Sequence, residues 1–234
     1  MKITSLIIGA TALALSITTH AYEAKDMIVR VGLAQVSPDE SSNGVVGSNG
    51  LGLVTQTDGV AVDDDTSVGI GFTYMLTPEF GLEVLGALPF SHKITGTGAL
   101  EGLAIAETKH LPPTISAQYY PAIGHREIQP YIGLGINYTV FFDEETNSAL
   151  LPALQGLPGL SGIQSTDIEL EDSTGLAFQV GIDFKLSDKF VGNVAIWNID
   201  IETEADVIID GATARTVDVK IDPWVYMLSV GYKL

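Results

Sequence analysis

Hydrophobicity in this chain alternates residue by residue, over stretches of about ten residues and more. In "PWVYMLSVGYKL", Trp224, Tyr226, Leu228, Val230, Tyr232 and Leu234 share one face, and Val225, Met227, Ser229, Gly231 and Lys233 share the other. A period of two is the side-chain alternation of a β-strand. "TSVGIGFTYML" sets Val68, Ile70, Phe72, Tyr74 and Leu76 against Gly69, Gly71 and Thr73. "FGLEVLGALPF", "PYIGLGINYTVFF" and "GLAFQVGIDFKL" repeat the pattern, always with a large apolar face opposite a small or polar one. Eight segments read this way, at about 27–37, 66–76, 79–90, 113–121, 129–142, 173–186, 190–205 and 216–234.

Their length narrows the choice. Strands of soluble proteins average about 5–6 residues, whereas a tilted membrane-crossing strand needs about 9–11. Connections alternate as well. "TPE", "AIGHREI" and "SDK" are short, and the others are longer and rich in Gly, Asp and Thr. Short turns at one end and long loops at the other fit an all-β, eight-stranded antiparallel up-and-down transmembrane β-barrel with four extracellular loops. Tyr74, Phe80, Phe90, Tyr138, Phe184, Trp224 and Tyr232 lie near strand ends, where interface girdles belong. A soluble sandwich or lipocalin-type barrel would turn the apolar face inward. Its outer face would then be glycine and small residues, where soluble proteins carry Lys and Glu. Pairing the last strand with the first, "MIVRVGLAQV", leaves no open edge in hydrocarbon.

The N-terminus, "MKITSLIIGATALALSITTHAYEAK", carries Lys2, an apolar run from Ile3 to Ile17, and small Thr19 and Ala21. This is the pattern of a secretory leader cleaved after Ala21, giving a signal peptide at 1–21 and a barrel at 22–234. The run is shorter than the roughly 18 residues that a spanning helix needs. The absence of cysteine excludes disulfides, thiolate metal sites and thiol nucleophiles. A formal charge of -18 argues against binding nucleic acid.

"GFTYM" (71–75), "LPFSHKI" (88–94), "HLPPT" (110–114), "YIGLGINYT" (131–139), "QVGIDF" (179–184) and "DPWVYMLSVGYKL" (222–234) together resemble the outer-membrane protein W (OmpW) family, from about Met27 onward. The resemblance implies an eight-stranded barrel in the outer membrane of a Gram-negative bacterium. It also implies uptake of small hydrophobic molecules, since alkane-importing relatives share the fold. Two features depart from the family pattern. The final residue is Leu234 rather than Phe, and the segment 143–172 carries an unusual "ALLPALQGLPGLSG".

With both termini periplasmic, the inward residues sort into layers. Arg30, Glu83, Gln118, Gln179, Asp183, Asn193, Ser229 and Lys233 fall in the periplasmic half, where opposite charges in a narrow space should pair into a polar plug. Leu85, Ala87, Trp197, Ile199, Val225 and Met227 fall in the outer half, an apolar lining that suits a hydrophobic solute better than a water channel. The alternative is that these side chains simply fill the lumen. Proline cannot donate to a ladder, so Pro89, Pro112 and Pro113 mark a place where the wall can open sideways.

No catalytic or metal motif stands out. His92, His110 and His125 lack ligand spacing, and GxSxG is absent. The expectation is a non-enzymatic barrel without cofactor or metal, the alternatives being a structural or adhesive barrel or a lipid-modifying enzyme. Acidic runs at 63–65, 143–145, 167–172 and 202–206 read as solvated loops, or as sites where divalent cations bridge to lipopolysaccharide. Expected partners are outer-membrane lipid, lipopolysaccharide and a small hydrophobic solute. The loops are the surface that a phage or bacteriocin would meet.

Overall fold

The computed structural model describes residues 21–42, 59–97, 101–123, 127–156 and 160–234. Apart from Ala21, the leader lies outside them, as does His125. Eight antiparallel staves form among the described residues. The first is β1 (Met27–Ser37), followed by the short β2 (Ser41–Ser42) and β3 (Val60–Val62). The second is β4 (Asp65–Met75), and the third is β5 (Phe80–Ala87) continued by β6 (Phe90–Gly96). The fourth is β7 (Ala104–Leu111) with β8 (Thr114–Tyr119), and the fifth is β9 (Ile128–Thr146), followed by helix α1 (Leu150–Gln155). The sixth joins β10 (Thr166–Leu170) to β11 (Ser173–Lys185), the seventh β12 (Phe190–Ile199) to β13 (Glu202–Ile209), and the eighth β14 (Ala212–Lys220) to β15 (Trp224–Lys233). The ring runs β1–β4–β5–β8–β9–β11–β12–β15 and closes on β1, from Ile28↔Lys233 to Ser37↔Trp224.

Two of the short turns share one build. Thr77 Oγ1 accepts the N–H groups of Glu79 and Phe80, and Ser187 Oγ accepts those of Lys189 and Phe190. Each hydroxyl satisfies donors that the reversing chain leaves free. At the seam a Cβ on Gly32 would run into the carbonyl oxygen of Leu228, so glycine permits the close approach of β1 to β15.

The apolar face points out. Leu33, Ile136, Phe178 and Leu228 are 63%, 62%, 58% and 68% exposed, while Val225, Met227 and Ser229 are buried. Beyond the membrane the pattern inverts. On β13, Thr203 and Ala205 are buried and Glu202 and Glu204 exposed, and on β14 Val217 and Val219 are buried and Asp218 exposed. The acidic runs at 167–172 and 202–206 are therefore largely the outer faces of extracellular strands rather than loops. Phe90 is also not a girdle residue. It is 1% exposed, because the break at Leu88–Pro89 reverses the phase of the third stave and leaves Leu88 outward at 55%.

The orientation is testable at Leu228. Leu228→Arg should cost about 2–4 kcal/mol if the residue meets the bilayer midplane. Urea titration in phospholipid vesicles measures this, with Leu228→Ala as the mild control. An unchanged midpoint for the arginine variant would contradict the assignment of faces.

Candidate functional site

The lumen is built in three layers. At the periplasmic end Arg30, 2% exposed, donates to Asp183 at 2.7 Å and to Thr73 at 2.7 Å, with Glu83 3.7 Å away. Asn193 donates to Asp183 at 2.8 Å, and the Tyr22 hydroxyl donates to it at 2.6 Å. Gln118 donates to Gln179 at 3.0 Å and accepts from Tyr120 at 2.7 Å. Lys233 stands apart at the rim, where it donates to Asp26 at 3.3 Å. The sequence did not single out Tyr22, Thr73, Tyr120 and Tyr131, which complete this layer. Their alternation places the last three inward, but an inward tyrosine does not announce a polar partner.

The middle layer is apolar. Trp197, Ile199, Val225 and Met227 are buried together with Ala34, Ala177 and Ala195, and half-buried Leu85 and Ala87 pack against them. The indole N–H of Trp197 is buried with no hydrogen-bond partner. Unpaired buried donors are rare and costly.

Beyond this layer lies a cavity of about 70 Å³. Its wall is almost wholly apolar and includes Val36, Val60, Ile94, Phe141, Ile168, Ile201, Val207 and Val219. None of the six lining residues read from the sequence borders it. They lie one layer further in, and Val36, Phe141 and Ile201 belong to both the packed layer and the cavity wall. The signal for the cavity was the inverted alternation of 203–209 and 217–221, masked by the acids on the other face.

Two histidines stand in this wall. His92 Nδ1 meets the Asp63 carbonyl at 2.5 Å, which requires an N–H there, and its Nε2 lies 3.0 Å from His110 Nε2. His110 stacks between Phe90 and Phe141, with centroids 5.4 and 5.9 Å away. The lipid-facing row of β9 reaches Tyr138, and His110 pairs with Phe141 beyond it. Burial first, and His92 second, push His110 down to about 3.

The barrel ladder breaks below these histidines. β5 pairs with β8 as far as Leu85↔Thr114, and β6 pairs with β7 from Phe90↔His110. Among the described residues no ladder pair joins Gly86–Pro89 to Leu111–Pro113. Each flank is held from its far side. Leu88 N–H donates to Val68 O at 2.9 Å, and Tyr138 N–H donates to Pro113 O at 3.0 Å. Pro89, Pro112 and Pro113 thus border one gap in the hydrogen bonding of the wall.

The model of the OmpW family matches residues 23–234. Outer membrane protein W of Vibrio cholerae is 43% identical over 235 residues, covering all of both chains. The chain belongs to the OmpW family. The crystal structure of OprG from Pseudomonas aeruginosa superposes with a TM-score of 0.77 at 40% identity, covering 93% of this chain and 99% of that one. AlkL of Ectopseudomonas oleovorans is 23% identical over 174 residues, 74% of this chain and 68% of that protein. The chain is thus an OmpW-family barrel of the bacterial outer membrane, set in its lipid.

The acidic run at 63–65 has a structural use in this OmpW-family barrel. Asp63 and Asp65 accept the backbone N–H groups of Lys93 and Ser91, at 2.5 and 2.8 Å, and Asp64 accepts from Ser37 at 2.9 Å. No metal-binding group of three or more acids and histidines forms among the described residues.

Two outcomes follow for the site. Asp183→Asn leaves Arg30 buried with its near counter-charge gone, and should cost about 3–5 kcal/mol in urea titrations. Removing the exposed Lys185–Asp188 pair should leave the midpoint close to unchanged. The second outcome concerns pH. The unfolded chain protonates His110 near 6.5 and the folded chain does not, so this contribution is full above about 6.5 and is lost as pH falls toward about 3. Amide exchange in β6 and β7 should accelerate over that window, and His110→Phe should remove the pH dependence. Equal acceleration in the variant would assign the effect elsewhere.

Proposed function

We propose that this chain is a passive outer-membrane channel for small hydrophobic molecules. The observation that carries the reading is the apolar cavity above a packed apolar layer, with ion-paired polar groups closing the lumen beneath. A water-filled pore would not be lined this way. A hydrophobic solute would enter the cavity from outside, pass between Leu85, Ala87, Trp197, Ile199, Val225 and Met227 as they part, and meet the plug of Arg30, Glu83, Gln118, Gln179, Asp183 and Asn193. Crossing that layer would strip no water from an alkane, but the plug would offer it nothing in exchange for its own hydrogen bonds. The remaining route is sideways, through the gap bordered by Pro89, Pro112 and Pro113, into the membrane. The resemblance to alkane-importing relatives points the same way. This reading assigns the chain no reaction, no cofactor and no metal, and its mature form begins at Tyr22.

The cavity is much smaller than the roughly 300 Å³ at which ordinary small-molecule pockets begin, so a solute must push the layer apart. A lumen that never parts would make the chain a structural barrel. Cross-linking Leu88→Cys to Pro113→Cys with a short bifunctional reagent tests the route. The chain has no cysteine of its own, so the bridge is unambiguous. Uptake of a volatile alkane into vesicles carrying the locked barrel should fall to the protein-free rate, and reduction of a cleavable linker should restore it. Full uptake through the locked wall would refute the lateral route.

A further inference from the structure

Two members of the plug layer lie off the barrel strands, Tyr120 and Tyr22, and Tyr120 directly follows β8 with its N–H donating to Glu79 O at 2.7 Å. Arg30, Thr73, Glu83, Gln118, Gln179, Asp183 and Asn193 all sit on strands whose neighbours hold them by ladders. Tyr22 precedes the first strand, yet it is only 3% exposed. Its hydroxyl donates to Asp183 at 2.6 Å, on the same oxygen that Arg30 meets at 2.7 Å. Its ring stands edge-on to Tyr120, with centroids 5.4 Å apart and planes at 81°. Asp183 also borders the periplasmic mouth, a hollow of about 340 Å³ that Tyr22 and Glu23 share with Lys185, Asp188 and Val191.

The chain is turned to put Tyr22 there. Glu23 N–H donates to the Asp26 carboxylate at 2.9 Å, and Asp26 N–H donates back to Glu23 O at 3.2 Å. Lys25 holds φ at 77°, a left-handed conformation that costs a lysine energy. Its N–H donates to Met75 O at 2.7 Å, and Lys233 anchors the Asp26 carboxylate at 3.3 Å. The turn reverses the chain below the barrel and sends the preceding side chain back up into the lumen.

We propose that Tyr22 is a tethered stopper that closes the periplasmic end of the lumen and shields the Arg30–Asp183 pair from water. It rests on the leader being removed after Ala21, which makes Tyr22 the free end of the chain. A free end can leave and return without breaking a ladder bond, whereas the other plug members sit on wall strands or, like Tyr120, directly follow one and are held by a backbone hydrogen bond. The stopper therefore makes the periplasmic closure reversible, independently of whether a hydrophobic solute uses the outer cavity. Docking is local, so its opening energy is set by one charge-assisted hydrogen bond, one ring contact and the turn.

Ser229→Cys supplies a reporter. Ser229 is 4% exposed within the plug layer and donates only to Asn193, at 3.3 Å. The refolded mature barrel is labelled in detergent with a small cationic thiol reagent. In the Tyr22→Ala background, labelling should accelerate about tenfold or more, which corresponds to about 1.4 kcal/mol of lost docking. Tyr22→Phe keeps the ring and should accelerate it less. Lys25→Pro leaves Tyr22 intact but cannot adopt the positive φ or donate to Met75, and should accelerate labelling like the alanine variant. Unchanged labelling in Lys25→Pro and in a folded Tyr22→Ala would overturn the proposal, as would fast labelling of the parent. Should Tyr22→Ala not fold, the Lys25→Pro rate alone decides.

Discussion

A strand in hydrocarbon cannot leave a backbone donor or acceptor unpaired, and this single constraint organises the molecule. It forces β15 onto β1, because an open sheet would expose two rows of polar groups to lipid. Closure with eight staves leaves a narrow lumen. The outward face must then be apolar and the inward face small enough to fit, which is why glycine, serine and alanine recur opposite leucine and isoleucine. Above the bilayer the constraint relaxes, the solvent changes, and the same staves turn their apolar faces inward.

The narrow lumen explains the layers. A buried arginine in a space this size has to meet its counter-charge, and Arg30 meets Asp183 at 2.7 Å with three further donors and acceptors around the pair. Such a cluster is expensive to take apart one partner at a time. Immediately outward the packed side chains are apolar apart from the unpaired indole N–H of Trp197, and the wall of the cavity beyond them is mostly aliphatic, with His92 and His110 in it. The stretch between the β5–β8 and β6–β7 ladders has no pairs of its own and is flanked by prolines on both sides, and each flank is secured from behind. The break is local and does not compromise closure elsewhere.

Much of this was legible in the residues. Inward and outward positions of β1, β4, β9, β11, β12 and β15 follow directly from alternation, and so does the inward placing of Arg30, Gln179, Asp183 and Asn193, whereas Lys233 lies apart at the rim beside Asp26. Three features were not legible. "LGALPF" is apolar on both faces, so nothing in it reports that the phase reverses at Pro89 and turns Phe90 inward. In "ETEAD" and "DIELED" the acids dominate the eye, while Thr203, Ala205, Ile168 and Leu170 between them line the cavity. Tyr22 lies outside any periodic segment, and its burial depends on a turn made by Asp26, Lys25 and Met75 that only the assembled barrel brings together. Periodicity reports faces of regular strands, and it is silent where a chain breaks or begins.

The central claim is that the apolar layer parts to admit a hydrophobic solute. The two tryptophans make it measurable, since Trp197 is buried in that layer and Trp224 faces lipid. With Trp224→Phe, the fluorescence of Trp197 is titrated in detergent with a small apolar quencher, and Leu85→Glu serves as the control for quenching through the micelle. Saturable quenching that weakens in the Leu85→Glu barrel is the result this account predicts. Quenching that rises linearly and ignores the substitution would mean a lumen packed shut, and the channel reading would fall.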